Sequence, residues 1–505
     1  MKLFINHPFH YEAENLTRLF FPLEKITVIK LNFGEALTAS PENENYIYST
    51  LNEVNGEYKV RAYVNINGKE LTAERDVQRQ IASGFFLSAE KGSALRDEAE
   101  MQMAEVLFKA LSEITGYTPP WGMLTGVRPS KLMRSLLNEM GEGAVDYFKN
   151  KLFVSDKKTR LLYSIVKRQQ GIIDLSVPSS YSLYVSIPFC PTRCEYCSFV
   201  SHSITSFKKK IPEYIELLIK ELELISSVAK DLGLRLETVY FGGGTPTSLN
   251  ESELYTLADA VARLFPLDSV MEYTIEAGRP DTLNEEKLNI MKAAGVSRIS
   301  INPQTFSDEV LKGIGRCHTA QQTVDAFYMA RQAGFDNINM DLITNLPYDT
   351  PDGFMDSLNK TLELDPESIT VHSLALKRSS ALAAAVRDKQ EWEAPVYENA
   401  YAALENKGYL PYYLYRQSKS AGNRENTGFS KKGFESAYNI YMMEETHTVL
   451  AAGAGGVSRL KEPNGEFIDR IFNYKYPYEY ISGFEEILER KKGIKTFYEK
   501  YPHCN

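Results

Sequence analysis

Five cysteines are spread over 505 residues, and three of them, Cys190, Cys194 and Cys197, crowd into eight consecutive positions. They lie in the segment YSLYVSIPFCPTRCEYCSF, Tyr181 to Phe199, where a strand-like run leads into a CxxxCxxC loop. Thiolates are the ligands of iron–sulfur clusters, and a four-iron cluster takes four of them. Three in one short loop leave one iron without a protein ligand, open to a substrate or cofactor. The competing reading is a structural zinc site completed by His202 or by a distant residue. Zinc sites pair cysteines as CxxC and fill the remaining places with Cys or His. Neither the spacing here nor a second CxxC fits that pattern, so the loop points to a cluster. The two other cysteines are isolated and too few for a disulfide framework. A buried thiol is expected for Cys317 and an idle tail residue for Cys504.

Such a loop needs a scaffold, and the sequence around it supplies one. From Tyr181 onward short apolar strands (LYVSI, LETVYF, EYTIE, RISI, NINMDLI, SITVHSL) alternate with amphipathic helices. The helices are expected over Tyr214–Val228, Glu253–Leu264, Glu285–Ala294, Thr319–Ala333 and Phe354–Leu364. Strands alternating with helices imply parallel βαβ units. Six units fall short of a complete eight-unit barrel and suit an open, partial (β/α)6 TIM-like one. Active sites of such barrels lie at the C-terminal ends of the strands, and polar residues recur at that level. FGGGTPT, Phe241 to Thr247, follows the second strand, with glycines that let a backbone approach a ligand closely. Glu276 ends the third strand and Gln304 follows the fourth. Arg316 comes twelve residues later, and Asp341 lies in the fifth. Singly each suits a helix cap or a surface; in order they form a polar ring around one ligand.

CxxxCxxC after the first strand of a six-unit βα region resembles the signature of the radical S-adenosylmethionine (SAM) superfamily. LYVSIPFC, VYFGGGTPT, TIEAGRPDTL, RISINPQTF and MDLITNLP resemble its oxygen-independent coproporphyrinogen III oxidase (coproporphyrinogen dehydrogenase) family. WGMLTGVRPSKL and YYLYRQSKSAGNRENTGFS are similar to that family's longer, HemZ-type branch. The resemblance implies a [4Fe–4S] cluster on Cys190, Cys194 and Cys197, and SAM chelated to the open iron. By matching position it implies SAM contacts at Tyr184, Tyr196, Gly243, Gly244, Thr245, Glu276, Gln304, Arg316, Asp341 and Ala375, with a looser match near Leu460. The implied reaction is oxidative decarboxylation of coproporphyrinogen III propionates to vinyls, giving protoporphyrinogen IX in haem biosynthesis. A low-potential electron donor such as flavodoxin or ferredoxin is implied with it. Two positions depart from the family pattern. Phe199 stands where a further cysteine follows the third cluster ligand, and Tyr196 stands where Phe is preferred. Both bear on whether the site takes one SAM or two.

A substrate with four carboxylates needs cations, best supplied by Arg through paired hydrogen bonds. Arg193, Arg378, Arg416 and Arg424 are candidates. The tyrosines of YLPYYLYR and YPYEYI suit a plain core more than a macrocycle pocket. Among the histidines only His372, at a strand end, faces the expected site. Two other functions are compatible with the same motifs: a haem-binding chaperone, and an enzyme methylating or opening another tetrapyrrole. Residues 1–175 are expected to form an α+β domain, 176–395 the barrel, and 396–505 a mixed α/β domain covering the substrate. The N-terminal domain announces itself through Asn67-Gly68 between β-type runs. A helix follows with Met103, Val106, Leu107, Ala110, Leu111 and Ile114 on one face and Gly116 as its stop. A net charge of −9 argues against nucleic-acid binding. No apolar run is long enough to span a membrane and the N-terminus does not read as a signal peptide, so a cytoplasmic location is expected.

Overall fold

In the computed structural model, which describes residues 1–22, 24–33, 44–85, 94–197, 199, 201–375, 392, 394–417 and 423–501, the chain divides within the helix Asp156–Ile173. The two units are Met1–Tyr163 and Ser164–Asn505. In the first, strands β1 (Lys2–Ile5), β2 (Thr27–Lys30), β3 (Tyr46–Val54), β4 (Glu57–Ile66) and β5 (Lys69–Val77) form one sheet in the order β2-β1-β3-β4-β5. β1 is parallel to β2 and β3, while β3, β4 and β5 run as an antiparallel meander. Asn67 and Gly68 both take positive φ, 52° and 79°, as the tight turn between β4 and β5 requires. Asn55-Gly56 makes the same kind of turn before β4. The helix Ala94–Thr115 buries Met103, Val106, Leu107, Ala110 and Leu111, and Gly116 ends it in the left-handed region. Part of the WGMLTGVRPSKL motif is architecture within this unit. Trp121 is fully buried, and a Cβ on Gly122 would lie 1.9 Å from the Leu152 carbonyl oxygen.

The second unit is built on one eleven-stranded sheet. Its parallel heart is β6 (Ser180–Ile187), β9 (Arg235–Gly243), β10 (Glu272–Glu276), β11 (Arg298–Ser300), β12 (Ile338–Thr344) and β13 (Ser368–Ser373). These are the six expected strands, and helices Ile211–Asp231, Glu251–Leu264, Glu285–Ala293, Ala320–Gln332 and Pro351–Leu364 connect them as expected. A minor pair, β7 (Phe189–Cys190) and β8 (His202–Ser203), brackets the cysteine loop.

Residues 396–505 do not form the separate domain expected of them; their strands continue the same sheet. β14 (Leu410–Arg416) and β15 (Glu425–Ser430) add antiparallel beyond β13. At the other edge β16 (Thr448–Ala452) lies parallel to β6, followed by the antiparallel β17 (Val457–Lys461) and β18 (Ile468–Phe472). The parallel sheet thus has a seventh strand. Three short helices follow, Pro477–Ser482, Phe484–Lys491 and Gly493–Tyr498.

Side chains along a strand alternate between faces, and in the heart of this sheet the two faces differ in kind. Leu183, Val185, Val239, Phe241, Tyr273, Ile275, Ile299, Ile338 and Met340 pack against the surrounding helices in one core. The alternate positions carry Tyr240, Glu276, Arg298, Ser300, Asn339, Asp341, Thr370 and His372, which line a cavity inside the curve of the sheet. Parallel strands buried on both sides normally read as unbroken apolar runs. Here the inner face is polar because it surrounds a ligand space rather than a second hydrophobic layer. The cavity measures about 360 Å³.

Within the glycine run, Gly244 at the cavity edge also meets a constraint from the chain itself. A Cβ on Gly244 would lie 2.5 Å from the Phe189 carbonyl oxygen and 2.9 Å from that of Ile187. Gly244 N donates to Ile187 O at 2.8 Å and Thr245 N to Phe189 O at 2.7 Å. Gly244 admits the chain's own backbone, seating the loop after β9 against the one that carries Cys190. Gly244→Ala is therefore expected to destabilise the protein by about 1–3 kcal/mol, the usual penalty of overpacking. Gly171→Ala, in a helix where a Cβ meets nothing within 4 Å, should be neutral or stabilising. Denaturant unfolding compares the two; a Gly244→Ala protein as stable as wild type would contradict the packing argument.

Candidate active site

β6 delivers the cysteine loop to the mouth of the cavity, and Cys190, Cys194 and Cys197 all line it. The loop is tied to three other strand ends. Cys190 Sγ lies 3.4 Å from Thr245 Oγ1, beyond β9. Glu195 N donates to Ile314 O at 3.1 Å, and Thr192 Oγ1 to Gly315 O at 2.9 Å, on the segment after β11. From the loop after β10, Arg279 Nη2 donates to Thr192 O at 2.6 Å and reaches Cys194 Sγ at 3.3 Å. Burial raises the pKa of Cys190, against hydrogen bonding from Thr245 and the charge of Arg279, and burial likewise raises that of Cys197. Metal binding by these thiols would release protons.

Around the cavity stand most of the ring residues expected from the sequence. Tyr196, Gly243, Gly244, Thr245, Glu276, Gln304, Arg316, Asp341 and Ala375 all line it. Tyr184 does not; it lies one ring behind, stacked on Tyr240 at 6.2 Å and Tyr438 at 6.4 Å. Leu460 is in the hydrophobic core instead. Arg316 is buried and donates to Gly278 O at 3.1 Å, Asn302 O at 2.8 Å and the Tyr196 hydroxyl at 3.2 Å. Its neighbour Cys317, expected to be buried, is exposed, because burying the guanidinium of Arg316 turns the next side chain outward. Cys504 and Arg378 lie outside the described residues.

Gln304 sits at φ 67°, a conformation uncommon outside Gly and Asn. Two backbone hydrogen bonds hold it there, Gln304 N to Asp341 O at 2.9 Å and Ile343 N to Gln304 O at 3.0 Å. Its Oε1 is buried without a hydrogen-bond partner, as are Arg316 Nε and Arg298 Nε. Buried polar groups are ordinarily satisfied, so unpaired donors and acceptors lining one cavity with three thiols fit a polar ligand beside a metal cluster. Among the described residues no three His, Cys, Asp or Glu groups converge as they would to hold a single metal ion.

The arginines that line the cavity are Arg279, Arg298 and Arg316, not Arg193, Arg416 or Arg424. Arg298 and Asn339 escaped the sequence reading although strand alternation would have put them on the inner face beside Asp341. The tyrosines divide: Tyr413 and Tyr415 line the cavity, while Tyr412 and Tyr480 are fully buried. His372 does face the site, with Nε2 3.5 Å from Asp341 Oδ2 and Nδ1 3.5 Å from the Tyr415 hydroxyl.

The two acids of the ring differ in state. Burial raises the pKa of Asp341, but hydrogen bonds from His372, Asn339 and Thr370 outweigh it and leave the carboxyl below its usual value. Glu276 is pushed up to about 7, by burial first and by the charge of Asp341, against the Tyr240 hydroxyl that donates to it at 2.5 Å. Between pH 4.5, its ordinary value, and about 7 the unfolded chain ionises this group while the folded one keeps it protonated. Stability of the metal-free protein should therefore fall as pH rises through that window, by up to about 3 kcal/mol from this group. Glu276→Gln should flatten that fall and be the more stable form at pH 8. Urea unfolding at a series of pH values checks this; parallel curves for the two proteins would refute it.

A family model described as the radical SAM superfamily matches residues 184–361. The chain is 39% identical over 408 residues, 78% of its own length and 81% of the other, to the oxygen-independent coproporphyrinogen-III oxidase-like protein HemZ of Bacillus subtilis. It is 35% identical over 345 residues to the heme chaperone HemW of the same organism, covering 63% of this chain and 86% of that one. A solved structure of coproporphyrinogen III oxidase (HemN) from Escherichia coli shares the fold. It superposes with a TM-score of 0.50 at 24% identity, over 63% of this chain and 72% of that one. The superfamily's cofactors are a [4Fe–4S] cluster and SAM, which the thiols and polar groups of the cavity fit. The chain belongs to the radical SAM superfamily, within its HemN/HemZ family of coproporphyrinogen III oxidase-like proteins.

Proposed function

We propose that this chain oxidatively decarboxylates propionates of a reduced tetrapyrrole, coproporphyrinogen III, to vinyl groups. The observation that carries the proposal is the gathering of three thiols, two carboxylates of unlike state and three arginines around one cavity in a single unit. Cys190, Cys194 and Cys197 would hold the cluster, with one iron left for SAM. When bound and reduced, the cluster supplies one-electron cleavage of SAM, and through it the removal of a hydrogen atom from a propionate β-carbon. Loss of carbon dioxide, with one electron passing to a one-electron acceptor, would complete a vinyl group. A low-potential donor of the flavodoxin or ferredoxin kind would deliver the reducing electron.

The chain's own part is to hold and shield. Glu276, Gln304 and Asp341 offer acceptors for the polar groups of SAM, and Arg316 offers a cation for its carboxylate. Gly243, Gly244 and Thr245 form the rim beside Cys190, and Tyr196 and Ala375 close the wall. His372 and Asn339 keep Asp341 ionised. Tyr240, with Tyr184 and Tyr438 stacked behind it, backs Glu276 and excludes water from its side of the cavity. Tyr413 and Tyr415 present flat apolar faces suited to a macrocycle.

A second reading is a haem-binding chaperone, favoured by the similarity to HemW and by Phe199, which is 66% exposed where the oxidase motif has a further cysteine. Anaerobic incubation with coproporphyrinogen III, SAM and a reductant, followed by mass analysis, separates the two. Sequential loss of carboxyl groups supports decarboxylation. Haem retained through purification, with the porphyrinogen unchanged, supports the chaperone. Replacing Cys190, Cys194 or Cys197 with Ala should abolish iron binding and SAM cleavage, while Cys317→Ala spares both; a cysteine-loop variant that still cleaves SAM would refute the assignment.

Asp341→Ala should weaken SAM binding by roughly 5- to 150-fold, the equivalent of about 1–3 kcal/mol for a lost buried polar contact. Titration calorimetry on the reconstituted protein reads this directly. Unchanged affinity would remove Asp341 from the binding ring.

A further inference from the structure

We propose that Arg279 is a positioning residue for the iron–sulfur cluster, clamping the cysteine loop and donating to the Cys194 sulfur so as to raise the cluster's reduction potential. The inference rests on Cys194 being a cluster ligand.

Arg279 enters from the loop after β10 and is 2% exposed. A single nitrogen, Nη2, makes three contacts to the cysteine loop: Thr192 O at 2.6 Å, Thr192 Oγ1 at 3.0 Å and Cys194 Sγ at 3.3 Å. Its own backbone is fixed, since Thr282 N and Thr282 Oγ1 both donate to Arg279 O, at 2.9 and 2.7 Å. Among the described residues no carboxylate lies within ion-pair distance of its guanidinium, and Nη1 is buried without a partner. A buried charge is costly unless it is paired. Carbonyl and hydroxyl oxygens answer part of that cost; an anion answers the rest. Cys194, as a thiolate bound to iron, is the negatively charged group in reach.

Two consequences follow from this geometry. Thr192 lies midway between Cys190 and Cys194, so the clamp sets the separation of two ligands. A hydrogen bond to a ligand sulfur draws charge from the cluster and favours its more negative, reduced state, one of the ways a protein tunes such potentials. Arg316 also interacts with Cys194, but its Nη1 donates to Gly278 O and Asn302 O and its Nη2 to the Tyr196 hydroxyl, whereas the one bonded nitrogen of Arg279 serves the cysteine loop alone.

The test is an anaerobic redox titration, followed by electron paramagnetic resonance, of the reconstituted wild type, Arg279→Met, Arg279→Lys and Thr192→Val. Arg279→Met should have a more negative midpoint potential than wild type. Arg279→Lys should fall between, since it keeps the charge and loses the fork. Thr192→Val, which removes the hydroxyl but not the sulfur contact, should shift the potential less than Arg279→Met. If Arg279→Met holds no iron, Arg279→Lys decides. If neither Arg279 variant holds iron while both unfold like wild type and Thr192→Val is loaded, the clamp stands and the claim about the potential is overturned as a separable effect. Wild-type potential and iron content in both Arg279 variants overturn it. A wild type that itself forms no four-iron cluster would instead overturn the ligand assignment, so the two failures are distinct.

Discussion

Three thiols can share one cavity only if the loop bearing them keeps a fixed shape, and a loop of eight residues with CxxxCxxC spacing has no regular structure of its own to do this. The constraint comes from outside it. Backbone and side-chain hydrogen bonds to Phe189, Thr192 and Glu195 arrive from the segments after β9, β10 and β11. Each of those segments depends on a local sequence choice: Gly244 to admit the Phe189 carbonyl, Arg279 to reach Thr192, and Gly315 to lie against the Arg193 carbonyl. The βα repeat matters because it brings these loops to one rim at one height.

The same repeat explains the polar interior. Inner-face residues on neighbouring strands satisfy one another laterally: Asn339 donates to Ser300 and accepts from Ser368 and Thr370, and Arg298 donates to Ser368. A polar network this deep is stable only when its members are paired. Atoms left over on Gln304, Arg279, Arg298 and Arg316 lie at the cavity wall. The unlike protonation of Glu276 and Asp341 follows from the same lateral bonding. Asp341 has Asn339 and Thr370 beside it on its own and the next strand, whereas Glu276 has the Tyr240 hydroxyl and burial.

Much of this was legible before any coordinates. Six strands, their helices and the inner positions of Glu276, Gln304, Arg316 and Asp341 follow from alternation and from the place of each residue after its strand. What the sequence hid was long-range. β16 reads as a short apolar run, TVLAA, with no helix-strand rhythm around it, and only its pairing with β6 makes it part of the barrel. The tail looked like a separate domain for the same reason. Cys317 reads as an ordinary buried thiol when taken alone, although the place of Arg316 in the ring already implies that the next side chain faces the other way. Nothing local in TIEAGRPDTL singles out Arg279, whose contact to Cys194 spans 85 positions.

Everything here turns on whether the cysteine loop and the polar ring together hold a four-iron cluster with an iron open to SAM. Electron paramagnetic resonance of the anaerobically reconstituted, reduced protein, recorded with and without SAM, tests it most directly. A [4Fe–4S]⁺ signal that changes shape when SAM is added is the predicted result, since a ligand on the open iron alters its electronic surroundings. A protein that takes up zinc alone, or a cluster signal indifferent to SAM, would contradict the claim.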